Sequence, residues 1–155
     1  MWWPWCSCSW AAAAKPDPTP PFLFIPTSPF SGLLIEVDIV RLVDAFYTRV
    51  NDDPLLRPVF NDIAQVDWAK HLPTIYDFWS SVLLGTSRYK GRPFAKHFPL
   101  PIQAAHFQQW LSLFRTTIDE LFAGPKADDA KIKAQNIGAM FEHRMIPNPL
   151  SLLGQ

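Results

Sequence analysis

Residues 77–101 read DFWSSVLLGTSRYKGRPFAKHFPLP, and this stretch decides the fold. From Asp77 to Leu84 it is apolar at helical spacing, with Phe78, Val82 and Leu83 at i, i+4 and i+5. Gly85 follows the last periodic residue, where a left-handed helix cap tolerates no Cβ cheaply. A polar connection, Thr86 to Gly91, leads the chain away. Phe94 to Phe98 is then fenced by Pro93 on one side and by Pro99 and Pro101 on the other. A long helix does not fit between those prolines. One helical turn does, and it presents His97 to whatever the preceding helix faces.

The chain has 155 residues, enough for one domain with a substantial core. Lys plus Arg and Asp plus Glu are both 14, so no net field draws it toward nucleic acid or anionic lipid. No apolar run reaches the length a membrane helix needs, because prolines interrupt each candidate. There are 12 Phe and 7 Trp, flat side chains that fill a core or wall a flat apolar ligand. Cys6 and Cys8 lie one residue apart, a spacing that suits neither a disulfide nor a zinc site by itself.

Residues 1–32 stand apart. They hold 4 of the 7 Trp and 7 of the 16 Pro, with Lys15 and Asp17 as their only charges. Proline at that density opposes helix and sheet alike. The segment lacks the basic start of a signal peptide, so it reads as a disordered or spurious extension before a folded unit at 33–145. Residues 146–155, after the break at Pro147 and Pro149, read as a loose tail.

Helix-period stripes fill the rest. The first helix runs from Glu36 to Asn51, with Ile35, Ile39, Leu42, Val43, Phe46, Tyr47 and Val50 on one face. Asp53-Pro54 ends it. Leu55 to Asn61 reads as a turn or helical corner, with Leu56, Val59 and Phe60 inward. A second helix starts near Asp67, its expected N-cap, and runs to Leu84 with a kink or restart at Pro73. His71, Ile75, Phe78, Trp79 and Val82 share its apolar face. A third, from Gln103 to Ala123, carries Phe107, Trp110, Leu111, Phe114, Ile118, Leu121 and Phe122 before the Gly124-Pro125 stop. A fourth covers Ala127 to Met145, with Ile132, Ile137, Met140 and Phe141 expected inward. No strand-period alternation occurs. The fold class is all-α.

Tyr47, His71 and Trp110 interrupt the inner stripes of three helices with polar tips. An isolated histidine or tyrosine among aromatics is in most proteins a satisfied core residue. The sharper reading makes His97 an iron ligand and the other three hydrogen-bonding groups around an apolar cavity. Spacing alone leaves both readings open. A metal hydrolase finds no support, since His71, His97, His106 and His143 lack paired-ligand spacing and a carboxylate motif.

Five segments carry a resemblance: LVDAFYTRVNDDPLLRPVFN (42–61), DWAKHLPTIYDFWSSVLLG (67–85), RYKGRPFAKHFPLP (88–101), FQQWLSLFRTTIDELF (107–122) and KAQNIGAMF (133–141). Over about 110 of the 155 residues the chain resembles the truncated haemoglobins, group III. The combination of DFWSSVLLG, a Y-x-G-x-P loop and H-x-x-LP is specific. The resemblance implies a two-over-two helical sandwich around one haem b. It matches His97 to the proximal ligand, and Tyr47, His71 and Trp110 to the distal side. The haem pocket it implies comprises Phe46, Leu56, Phe60, Phe78, Val82, Tyr89, Phe94, Phe107, Leu111 and Phe141. Arg88, Arg92 and Lys96 flank the short helix as candidate contacts for the haem propionates.

Such a site takes oxygen, nitric oxide or carbon monoxide. A hydroxyl and an indole N–H beside a polar diatomic ligand are charge-assisted donors. Each is worth roughly 1.5–3 kcal/mol, or about ten- to a hundred-fold in affinity. Two donors make release slow, which suits ligand activation or detoxification, with nitric oxide dioxygenase-like or peroxidase-like chemistry, better than transport. An unidentified reductase and a cytoplasmic location go with that reading. No nucleic-acid or membrane partner is expected, and the oligomeric state stays open. The competing class is a cofactor-free helical interaction or regulatory module, which requires a dry, filled core.

Overall fold

At Gly85 the backbone turns left-handed, with φ 73° and ψ 22°, and the helix leading to it stops there as the sequence predicts. The computed structural model describes Gly32 and residues 35–145, with Ala95 and Lys96 described by their backbone alone. The described residues form helices α1 (Glu36–Asp52), α2 (Trp68–Leu84), α3 (Pro93–His97), α4 (Ala104–Leu121) and α5 (Pro125–Met145), with no β-strand among them. Residues 1–31, 33–34 and 146–155 lie outside this description, so the readings of the two termini do as well.

Helix α1 starts with its own device. The backbone N–H of Ile35 donates to Asp38 at 3.0 Å, and Glu36 and Asp38 meet the positive end of the helix dipole. Ile39, Leu42, Val43, Phe46, Tyr47 and Val50 are buried, as the stripe predicts. Asp53 is extended, with ψ 125°, because Pro54 excludes the helical region for the residue before it. Its carboxylate then accepts the N–H groups of Leu55 and Leu56, each at 2.9 Å, and starts the corner.

Of the turn or helical corner expected over Leu55 to Asn61, the structure has a helical corner, a π-helical turn over Pro58–Ile63. Helix α2 runs unbroken through Pro73, so of the kink or restart expected there the restart does not occur. Asp67 sits at the N-cap, but its side chain makes no cap bond and pairs with Lys70 at 2.8 Å instead.

The inward face of α5 is the largest correction. Ile132 and Met140 are exposed, and the buried residues are Ala127, Ala130, Ala134, Gly138 and Phe141. Small side chains let α4 and α5 approach closely. A Cβ on Gly138 would stand 3.2 Å from Leu111 Cδ1, tighter than ordinary van der Waals contact. Bulk at α4 fits absence of bulk at α5, a complement that hydrophobic periodicity does not register.

Helices α1 and α2 pack together, α4 packs on α5, and contacts of α1 with α4 and α2 with α5 join the pairs into a two-over-two sandwich. The fully buried Phe46, Trp79 and Phe114 tie three of them, with Phe46 edge-on to Phe114 at 5.2 Å and Trp79 stacked on Phe114 at 4.7 Å. Truncating one such ring to Ala costs about 3–5 kcal/mol. Beyond α2 the connection to α3 is pinned. Arg88 pairs with Asp77 at 2.8 Å and Glu36 at 3.2 Å, and the N–H of Tyr89 donates to Ser81 Oγ at 2.9 Å. This fixes the approach of the chain to His97.

Candidate functional site: a cavity shared by all five helices

A cavity of about 820 Å³ lies within the sandwich, and every helix contributes to its wall. Tyr47 enters from α1, His71, Ile75 and Phe78 from α2, and His97 from α3. Phe107 and Trp110 come from α4, with Ile137 and Phe141 from α5. The volume is in the range of clefts that hold cofactor-sized ligands, roughly 300–1,000 Å³. A cofactor-free module would need this space filled.

The local backbone decides the state of His97. Its Nδ1 lies 2.5 Å from the carbonyl oxygen of Pro93, one turn back in α3. A carbonyl only accepts, so Nδ1 carries a proton, and in the neutral ring Nε2 keeps its lone pair. Phe141 stands edge-on to the imidazole at 5.1 Å and limits its rotation. His106, also in the wall, has the opposite arrangement. Its Nδ1 accepts the N–H of Gln103 at 3.0 Å, closing the start of α4, so in the neutral form the proton sits on Nε2. Of these two histidines, only His97 offers a ligating Nε2.

Tyr47 is nearly buried, and burial pushes its hydroxyl well above the ordinary phenol range, with the indole of Trp110 pulling back as a hydrogen-bond donor. The hydroxyl therefore stays protonated and can donate. Burial also raises Tyr89, whose ring meets Phe78 edge-on at 5.3 Å in the wall.

The family model for bacterial-like globins matches residues 33–145. The chain belongs to that family. Along its sequence this globin is 31% identical over 111 residues to a group 3 truncated hemoglobin of Campylobacter jejuni, covering 69% of this chain and 87% of the relative. It is also 31% identical over 83 residues to a group 2 truncated hemoglobin of Bacillus subtilis, covering 52% and 62%. Its fold matches the crystal structure of a group III truncated hemoglobin from Campylobacter jejuni with a TM-score of 0.69 at 29% identity, covering 75% of this chain and 94% of the other. Membership implies haem binding and the binding of small diatomic ligands.

The residues fit that group. A macrocycle holds its own iron, so the protein needs to offer one axial nitrogen, and His97 Nε2 is such a nitrogen. Aromatic and aliphatic side chains wall the space. Among the described residues no buried side-chain nitrogen or oxygen lacks a partner.

Of the globin's sequence-predicted site residues, His97, Tyr47, His71 and Trp110 all line the cavity, together with Leu56, Phe60, Phe78, Tyr89, Phe107 and Phe141. Arg88 and Arg92 lie at its edge; Arg88 is engaged by Glu36 and Asp77, whereas Arg92 pairs with no carboxylate among the described residues. The Lys96 side chain lies outside the description.

Four predictions move. Phe46 is fully buried, packed edge-on against Trp110 at 5.2 Å and Phe114, so it backs the wall without forming it. Leu111 faces Gly138 in the α4–α5 seam. Phe94 stacks on Phe141 at 4.2 Å under the Arg144 guanidinium, supporting the wall residue. Val82 packs against the core one turn beyond Phe78, where Lys133 bonds its carbonyl at 2.9 Å. Ile75 and Trp79 were missed as wall residues, although the stripe they share with His71 was the signal. Leu100 and Ile102 were also missed, because a proline-rich connection has no period to read.

Proposed function

We propose that the cavity holds haem b with His97 Nε2 as the axial ligand of the iron, and that the protein activates or detoxifies diatomic ligands. Haem supplies a reducible iron that takes oxygen, nitric oxide or carbon monoxide. His97 is suited to hold it because the Pro93 carbonyl keeps the proton on Nδ1 and orients the ring. Tyr47 supplies a donor to a polar ligand, Trp110 supports that donor, and His71 shares the same wall. Phe60, Phe78, Phe107 and Phe141 exclude water. Arg92 is the stronger candidate for a propionate, since Arg88 is already paired.

Donor strength argues for activation over transport. A hydroxyl donating to a partly negative ligand contributes roughly 1.5–3 kcal/mol, enough to slow release by about ten-fold or more. That retention favours a nitric oxide dioxygenase-like or peroxidase-like reaction, and we take its electrons to come from a separate reductase in the cytoplasm. We take residues 33–145 as the functional unit, with the flanking segments dispensable for the cofactor. Among the described residues no helix is long and apolar enough to cross a membrane.

The observation that carries this reading is one cavity lined by both a histidine with a fixed free Nε2 and the Tyr47–Trp110 pair. Titration of the purified protein with haemin tests it. One haem per chain, with distinct ferric, ferrous and carbon monoxide spectra, is the expected result. Absence of a stoichiometric Soret band would overturn it. Steady-state consumption of nitric oxide with oxygen and a reductant then reads the reaction: multiple turnovers to nitrate support the dioxygenase-like branch, and a single turnover without recycling argues for a carrier or the peroxidase-like branch.

A further inference from the structure

Trp68, the first residue of α2, does not line the cavity. It touches three residues that do. Its ring stacks on Phe60 at 5.9 Å, lies tilted against Tyr47 at 5.5 Å, and meets His71 edge-on at 6.1 Å. Its position is set by polar bonds in addition to packing. The indole Nε1–H donates to Asn61 Oδ1 at 2.8 Å, and Asn61 Nδ2 donates to Asn51 Oδ1 at 2.9 Å. An indole can only donate, so the orientation of the Asn61 amide is determined, and Asn51 must present its oxygen. The chain Asn51–Asn61–Trp68 thus links the last turn of α1, the π-helical turn and the first residue of α2.

The π turn gives Asn61 its place. Its wide register runs from the bond between Ala64 N–H and the Val59 carbonyl at 2.9 Å, and Val66 N–H closes onto the Phe60 carbonyl at 3.0 Å. Phe60 and Asn61 are consecutive, so the same backbone fixes a wall ring and the acceptor that holds the ring behind it. A tryptophan serving as filler needs no such two-asparagine chain.

We propose that Trp68 is a positioning residue for the ligand side of the cavity: held by Asn61 and Asn51, it fixes the directions of Tyr47 and His71 toward a bound diatomic ligand. This rests on the haem reading above for its ligand, while the relay itself stands on the geometry alone. Trp68→Phe keeps an aromatic ring and loses the Nε1 bond. Asn61→Leu removes the acceptor, and Asn61→Asp retains it.

The experiment has two arms. In haem-loaded protein, Trp68→Phe and Asn61→Leu should each speed oxygen dissociation by about five-fold, in the range of coupling between contacting residues. Asn61→Asp should stay closer to wild type, and carbon monoxide dissociation should change less than oxygen dissociation in all three. In a Tyr47→Phe background the Trp68→Phe effect should shrink, because one of the two groups being aimed is gone. An equal effect in both backgrounds, or a lowered melting temperature with unchanged oxygen release, overturns the proposal. The haem-free protein supplies the second arm. The indole N–H resonance that vanishes in Trp68→Phe should exchange slowly with solvent, and should exchange at least ten-fold faster in Asn61→Leu. Equal exchange rates overturn the relay whether or not haem binds, and failure of the wild type to take up haem counts against the functional reading alone.

Discussion

Trp110 of α4 and Tyr47 of α1 share the cavity wall, and the indole acts on the Tyr47 hydroxyl as a hydrogen-bond donor, offsetting part of the rise that burial gives it. Two parallel donors to a ligand, as the sequence reads them, become a series where the indole engages the tyrosine oxygen. Trp110 can only donate, so engaging the tyrosine oxygen leaves the phenolic proton directed elsewhere and polarises it.

Tyr47→Phe should therefore speed oxygen dissociation by about ten-fold or more, with a much smaller effect on the less polar carbon monoxide. Trp110→Phe alone should have a smaller effect in the same direction. The double variant should resemble Tyr47→Phe rather than the product of the two. Stopped-flow oxygen and carbon monoxide off-rates for the three variants check this, and multiplicative effects would show independent donors.

His97→Ala should abolish stoichiometric haem uptake or leave a site that added imidazole restores. The Pro93 carbonyl would remain to accept the N–H of the added imidazole, which is why rescue is expected. A variant with a wild-type spectrum would assign the axial ligand elsewhere.

At the cavity edge the two arginines should differ. Arg88 is held by Glu36 and Asp77 on a half-exposed side chain, so its loss loosens a surface network worth little in stability. Arg92, with no such pair among the described residues, should matter more to the cofactor. Haem transfer to an excess of apomyoglobin should be several-fold faster from Arg92→Ala than from Arg88→Ala. The reverse order would mean that the Arg88 network, and not a direct charge, retains the haem.

What could be read beforehand followed the size of side chains. Helices α1, α2 and α4 carry stripes of large apolar residues, and Tyr47, His71 and Trp110 stood out as polar tips inside them. Helix α5 buries Ala130, Ala134 and Gly138, whose size signals nothing on a hydropathy scale, so periodicity points instead to Ile132 and Met140, which are exposed. Phe46 and Tyr47 are neighbours, and the rotation of about 100° between consecutive helical residues sends one ring to the core and the other to the cavity. The Asn51–Asn61–Trp68 chain depends on a π register that no local pattern announces.

Asp53 yields the last prediction. Its carboxylate accepts Leu55 and Leu56 N–H groups at 2.9 Å, and Gln109 Nε2 donates to its other oxygen at 2.5 Å, tying the corner after α1 to α4. Burial pushes this carboxyl upward, but the bonds from Leu56, Gln109 and Leu55 outweigh it and hold it below its ordinary value. A group depressed in the folded state contributes stability above its unfolded value of about 3.9, and loses it as pH falls through the folded value. Asp53→Ala should cost about 1–3 kcal/mol at neutral pH, combining a lost cap with an orphaned amide. Asp53→Asn keeps an acceptor for the backbone and should cost less. Urea melts at pH 7, 5 and below 4 check both: the gap between wild type and Asp53→Ala should be steady between pH 7 and 5 and narrow on further acidification. A gap that stays constant down to the lowest pH at which both fold would mean that the ionised form is not what the corner holds.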